Sequence, residues 1–125
     1  MSAHERFRFH HLDEFQAKIS ELGLEIPLTE KIGILGTPVK FGKLTVPNRM
    51  AVHPMEGCDG DHEGRPEALT FRRYERFAAG GAGMLWLEAC AVVPEGRANP
   101  RQIWINPTSL DAFKQLVERA HAAAR

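Results

Sequence analysis

Met50-Ala51-Val52-His53-Pro54-Met55 and Met84-Leu85-Trp86-Leu87-Glu88-Ala89-Cys90 are two short apolar runs that decide how this chain is read. Runs this short, without polar alternation, predict strands buried on both faces, as in parallel sheets. The first is stopped by Pro54; the second is expected to continue through Cys90. Between them Phe71, Tyr74, Phe77 and Ala78 recur at helical spacing, and Gly80-Gly81 supplies the stop. Pro66 is placed in the first turn of that helix. Downstream, a loop from Pro94 to Pro107 leads to Leu110, Phe113, Leu116, Val117 and Ala120, a further amphipathic helix. Thr108 with Asp111 forms a weak capping box at its start. Strand, helix, strand, helix predicts βα units and a parallel sheet.

Upstream, residues 28–49 are punctuated by Gly33, Gly36, Pro38, Gly42 and Pro47. They predict a β-hairpin with its turn at Gly42-Lys43. Before that, Leu12, Phe15, Ile19 and Leu22 mark a short amphipathic helix ended by Gly23. The first eleven residues hold three His and two Arg and are expected to be mobile. Residues 1–28 are therefore expected to be an N-terminal extension, and residues 29–125 an α/β segment.

Composition excludes several function classes. Sixteen basic residues balance sixteen acidic ones, so no global field draws the chain to nucleic acid or anionic lipid. The two cysteines, Cys58 and Cys90, make no CxxC pair, which predicts reduced thiols in a cytoplasmic protein. The N-terminus lacks a signal-peptide core, and no apolar run approaches the ~20 residues of a membrane span.

In α/β proteins ligands bind at the carboxyl ends of strands. His53 to Cys58 and Glu88 to Cys90 take those positions. His53, Glu56, Cys58, Asp59, Asp61 and His62 include metal-ligand types, but their spacing matches no zinc or calcium loop, so no metal is expected. Asp61, His62 and Glu63 read as a solvated loop. Cys58 with His53 as base is a weak pattern for nucleophilic catalysis, and Cys90 reads as a small core residue. Trp86 and Trp104 read as core or packing aromatics, and His121 as a favourable charge late in a helix. Arg72-Arg73 is placed on a solvated helix face, with an ion pair to a neighbouring loop as the alternative. Asn99-Pro100-Arg101-Gln102 is a turn whose further role is open.

Pro47-Asn48-Arg49 running into Met50-Ala51-Val52-His53-Pro54-Met55 resembles the opening of Old Yellow Enzyme-like NADH:flavin oxidoreductases. Thr37-Pro38-Val39-Lys40-Phe41-Gly42 is similar to that family's preceding hairpin. Phe71-Arg72-Arg73-Tyr74 through Gly83 is similar to its first helix and glycine turn, and Met84 to Ala89 to its second strand. The likeness begins near residue 34. It implies the N-terminal part of a (β/α)8 TIM barrel, about two βα units behind the hairpin and helix. It also implies FMN at the carboxyl ends of the strands and NAD(P)H as reductant. Pro54, Met55, Glu56 and Ala89 are the implied cofactor-binding residues. Catalytic residues are expected beyond residue 125, and a small molecule is the expected substrate. Glu56 departs from the pattern, because the family usually has Thr or Cys there. An ionised carboxylate only accepts hydrogen bonds, so Glu56 must be protonated or turned toward Arg or loop donors.

The function expected is an FMN-dependent NAD(P)H oxidoreductase of ene-reductase type, present as an N-terminal fragment. The alternatives are a non-catalytic fragment or subunit that needs a partner to complete the barrel, and a freestanding α/β binding module. A two-stranded parallel sheet leaves free edges, which predicts association or a homo-oligomer.

Overall fold

The computed structural model describes residues 6–124. They fall into two compact units, divided between Ile32 and Gly33.

In the first unit, α1 (Leu12–Glu21) carries acidic Asp13 and Glu14 in its first turn and buries Ile19. The Gly23 N–H donates to Ser20 O and the Leu24 N–H to Ile19 O. This closes the helix through Gly23 at φ +64°, a conformation that favours glycine. The segment before α1 was expected to be mobile, yet Phe7 and Phe9 pack their rings at 5.4 and 5.3 Å from Phe15. Residues 1–5 of that segment lie outside the described residues.

In the second unit, β1 (Val39–Phe41) and β2 (Leu44–Val46) form the expected antiparallel hairpin, turning at Gly42 with φ +60°. β3 (Ala51–Val52) then passes through α2 (Ala68–Ala79) to β4 (Met84–Leu85), which lies parallel to β3 with Ala51 opposite Met84. α3 (Leu110–Ala123) follows. Asn48 locks the entry to this unit: its amide donates to Gly81 O at 2.7 Å and its Oδ1 accepts the Gly83 N–H at 2.8 Å. The turn before β4 is thereby fixed to the start of β3.

Three local expectations change. The second strand was expected to run through Cys90, but its ladder ends where the Trp86 N–H meets Val52 O. Pro54 has no N–H, and the Met55 N–H turns back to His53 O, so no partner continues. Pairing resumes as a single parallel bridge between Ala91 and Trp104. Pro66 does not enter α2; Glu67 caps it, its N–H donating to Thr70 Oγ1. Thr108 and Asp111 do not cap α3. Asn106 instead closes the turn ahead of α3: its Oδ1 accepts the N–H groups of Thr108 and Ser109, and its own N–H donates to Ser109 Oγ. The N-cap itself is Ser109, with no side-chain cap bond.

The core lies between α2 and α3, where Tyr74, Ala78, Ile103, Phe113 and Leu116 are buried. Trp86 is not a core aromatic: it is 60% exposed on β4's continuation. Trp104 is half-buried and anchors its indole N–H on Val92 O. No helix among the described residues is long and apolar enough to cross a membrane.

Candidate functional site

The segments after β3 and β4 lie at the carboxyl ends of parallel strands, and a network of buried side chains ties them together. Glu88 is its centre, 3% exposed. One carboxylate oxygen, Oε2, accepts the Gly57 N–H at 2.7 Å, and Oε1 accepts from Arg73. The Glu88 N–H donates to the Tyr74 hydroxyl at 2.8 Å. Arg73 also donates from Nη2 and Nε to Asp59, at 2.9 and 3.3 Å. Asp59 in turn accepts from the buried Thr70 hydroxyl at 2.8 Å. Arg73 thus takes the alternative to a solvated face, an ion pair with the neighbouring loop at Asp59, and through Glu88 bridges both strand ends. Burial pulls its guanidinium pKa down, but hydrogen bonds to Asp59 and Glu88 outweigh this and hold it above its ordinary value. Burial pushes the Tyr74 hydroxyl up, so it stays a neutral donor and acceptor.

Gly57 sits against this network so closely that a Cβ there would meet Arg73 Nη2 at 2.0 Å. A side chain at this position would displace the guanidinium from its place between Asp59 and Glu88.

Gln102 joins the remaining pieces. It is 6% exposed, and its Nε2 donates to Glu56 Oε1 at 2.9 Å and to Ala89 O at 3.1 Å. Its own oxygen accepts the Ala98 N–H at 2.7 Å. Glu56 accordingly turns toward a loop donor. Its other oxygen lies 3.9 Å from the Cys58 thiol. Arg97 secures the same loops: it donates to the carbonyls of Asp61, His62, Pro100 and Gln102. The segment at Asp61 to Glu63 is therefore pinned rather than freely solvated, and Asp61 Oδ1 accepts the N–H groups of Glu63 and Arg65.

Pro54, Met55, Glu56 and Ala89 are all exposed, side by side at the strand ends. Among the described residues the N–H groups of Glu56 and Ala89 donate to no protein acceptor. Among the described residues no three His, Cys, Asp or Glu side chains converge as metal ligands. Asp59 is taken by Arg73, and Asp61 by backbone donors.

Cys58 is exposed at φ +50°, and its sulfur accepts from Asn99 Nδ2 at 3.1 Å. Cys90 is half-buried; burial and the nearby Glu88 charge push its thiol up to about 11. Alkylation at pH 8 is expected to modify Cys58 first and leave Cys90 intact until the protein unfolds, as peptide mapping checks. Both the folded and the unfolded state hold the Cys90 thiol protonated below pH 9.0, and the unfolded thiol ionises first above it. This site's contribution to stability is therefore lost as pH rises from 9.0 to about 11.

Sequence reasoning placed Pro54, Met55, Glu56 and Ala89 at the strand ends, and the structure brings them together. It missed Glu88 as the hub, Arg73 as its counterion, and Gln102 and Arg97 as organisers of the loops. The signal for Glu88 was present: a carboxylate inside an apolar run is buried with its strand and requires a partner.

Known proteins resemble this chain in sequence and in fold. An NADPH dehydrogenase of Halalkalibacterium halodurans is 33% identical over 81 residues, covering 63% of this chain and 24% of that protein. One from Bacillus pumilus is 31% identical over 90 residues, covering 70% of this chain and 27% of that protein. This chain thus spans about a quarter of the length of these curated relatives. Among solved structures, morphinone reductase in complex with tetrahydroNAD superposes with TM-score 0.64 at 28% identity, over 73% of this chain and 25% of that one. Old Yellow Enzyme from a Pichia species superposes with TM-score 0.65 at 22% identity, over 78% and 25%, a likeness of fold. The strand–helix units are those of the Old Yellow Enzyme barrel. The profile of the NADH:flavin oxidoreductase / NADH oxidase family matches residues 35–124, most of the chain, and the chain belongs to that family.

Proposed function

We propose that residues 29–125 form the opening βα units of an FMN-dependent NAD(P)H oxidoreductase and supply part of its cofactor site, and that residues 1–28 are an N-terminal extension. The observation that carries this reading is the exposed pairing of Pro54-Met55-Glu56 with Ala89, held side by side through Gln102. The N–H groups of Glu56 and Ala89 are the donors we assign to the cofactor, and Met55, 75% exposed, the apolar contact. FMN when bound supplies hydride transfer, from NAD(P)H to a small-molecule acceptor such as an activated alkene. This chain's own residues position and polarise: Arg73 and Glu88 hold the backbone at Gly57, and Ala89 leaves space. Two free thiols suit a reducing compartment, and the cytoplasm is the location we assign.

The intact protein, incubated with FMN and desalted, is expected to retain about one flavin per chain, read by its visible absorption. Ala89→Phe is expected to abolish retention while circular dichroism stays unchanged. No flavin in the intact protein, or an unaltered affinity in Ala89→Phe, overturns the assignment. Glu56→Gln or Glu56→Thr is expected to raise the flavin potential, because a carboxylate disfavours the anionic reduced cofactor. An unchanged potential by spectroelectrochemistry refutes that charge effect.

A second reading is a segment that relies on further polypeptide, its own or a partner's. It rests on a groove of about 270 Å³ lined by Leu85, Leu87, Leu116, Val117 and Ala120, between α2, α3 and the strand end. Residues 1–125 expressed alone are expected to associate through the free edges of β3 and β4 and to bind no stoichiometric FMN. A monodisperse, flavin-loaded segment in light scattering disproves this second reading.

A further inference from the structure

The Glu56 carboxylate has no cation within ion-pair distance among the described residues; its oxygens face the Gln102 amide and the Cys58 thiol. Gln102 is buried at 6% exposure and makes full use of its amide. One N–H goes to Glu56, the other to Ala89 O, and the oxygen takes the Ala98 N–H. No other neutral side chain except Asn offers two donors and one acceptor in one plane, and Asn is shorter by a methylene. The arrangement fixes the Glu56 rotamer while leaving its charge uncompensated, which a Lys or Arg in the same place would not do.

We infer that Gln102 is a positioning residue: it holds the Glu56 carboxylate as a fixed negative charge at the strand ends and so biases bound flavin against its anionic reduced form. This rests on the flavin site proposed above. Released from Gln102, Glu56 would turn into water, where its charge is screened.

The test is a double-mutant cycle on the flavin potential of the intact protein. At fixed potential, Glu56→Gln is expected to raise the reduced-to-oxidised flavin ratio about tenfold, and Gln102→Met about threefold, for one charge near a protein surface. Gln102→Met is expected to add nothing in the Glu56→Gln background. Should Gln102→Met fold poorly, Gln102→Lys keeps the donors, adds a compensating cation and is expected to raise the ratio above wild type. An equal Gln102→Met shift in both backgrounds, or a wild-type ratio in Gln102→Lys, overturns the inference. Failure of the flavin site itself is distinguishable, since the intact wild-type protein would then retain no flavin to titrate.

Discussion

Arg73→Met is expected to cost the intact protein about 3–5 kcal/mol of stability, the scale for removing one partner of a buried ion pair. The reason is geometric. Arg73 is the cation shared by Asp59 and Glu88, and the Glu88 side chain is 1% exposed. Without the guanidinium, Glu88 keeps only the Gly57 N–H and the weakly placed Tyr74 hydroxyl, at 2.7 and 3.4 Å. A carboxylate so placed must remain charged in a dry site or take up a proton, and both cost free energy. Urea denaturation reads the loss. Arg72→Met is the control: its neighbour in sequence takes no part in the network, and the expected change is within about 0.5 kcal/mol. Equal effects of the two substitutions would show that the network contributes nothing.

Gly64→Ala is expected to be comparably damaging, about 3 kcal/mol or more, because strain and overlap act together. Gly64 holds φ +83°, and a Cβ there would meet Trp104 Cβ at 2.7 Å and Trp104 N at 2.8 Å. The Trp104 N–H donates to Gly64 O at 3.0 Å, so the two backbones cannot separate without losing that bond. Gly81→Ala isolates the strain. Its φ is +85°, but a Cβ there would meet nothing within 4 Å, and the expected cost is about 1–2 kcal/mol. Thermal melts of the two variants, compared in one buffer, measure the difference. A Gly64→Ala protein no less stable than Gly81→Ala would remove the close-packing argument.

The order of elements was legible because each signal is local. Phe71, Tyr74, Phe77 and Ala78 mark one face of α2 by spacing alone, and Gly23, Gly42 and Gly81 stand where a positive φ is needed. The caps were read less well. Pro66 and Thr108 are plausible starts, but Glu67 caps α2, and Ser109 stands at the start of α3 behind a turn held by Asn106. Strand length was not legible at all: Leu87 to Cys90 is apolar but for Glu88, yet no paired strand faces it beyond Val52. Apolar character allows a strand to form, and a partner's N–H and C=O groups decide how far it runs.

By itself the sequence determined the alternation of strand and helix, the hairpin, and which residues stand at the strand ends, because periodicity and turn chemistry act over a few neighbouring residues. Only the tertiary structure decided which charges meet. Arg73 lies 14 positions from Asp59 and 15 from Glu88, and Gln102 lies 46 from Glu56. Contacts at such separations follow from how α2 and the loop before α3 pack over the strands. Packing also makes Gln102 a bridge between Glu56 and Ala89, where the sequence showed a turn.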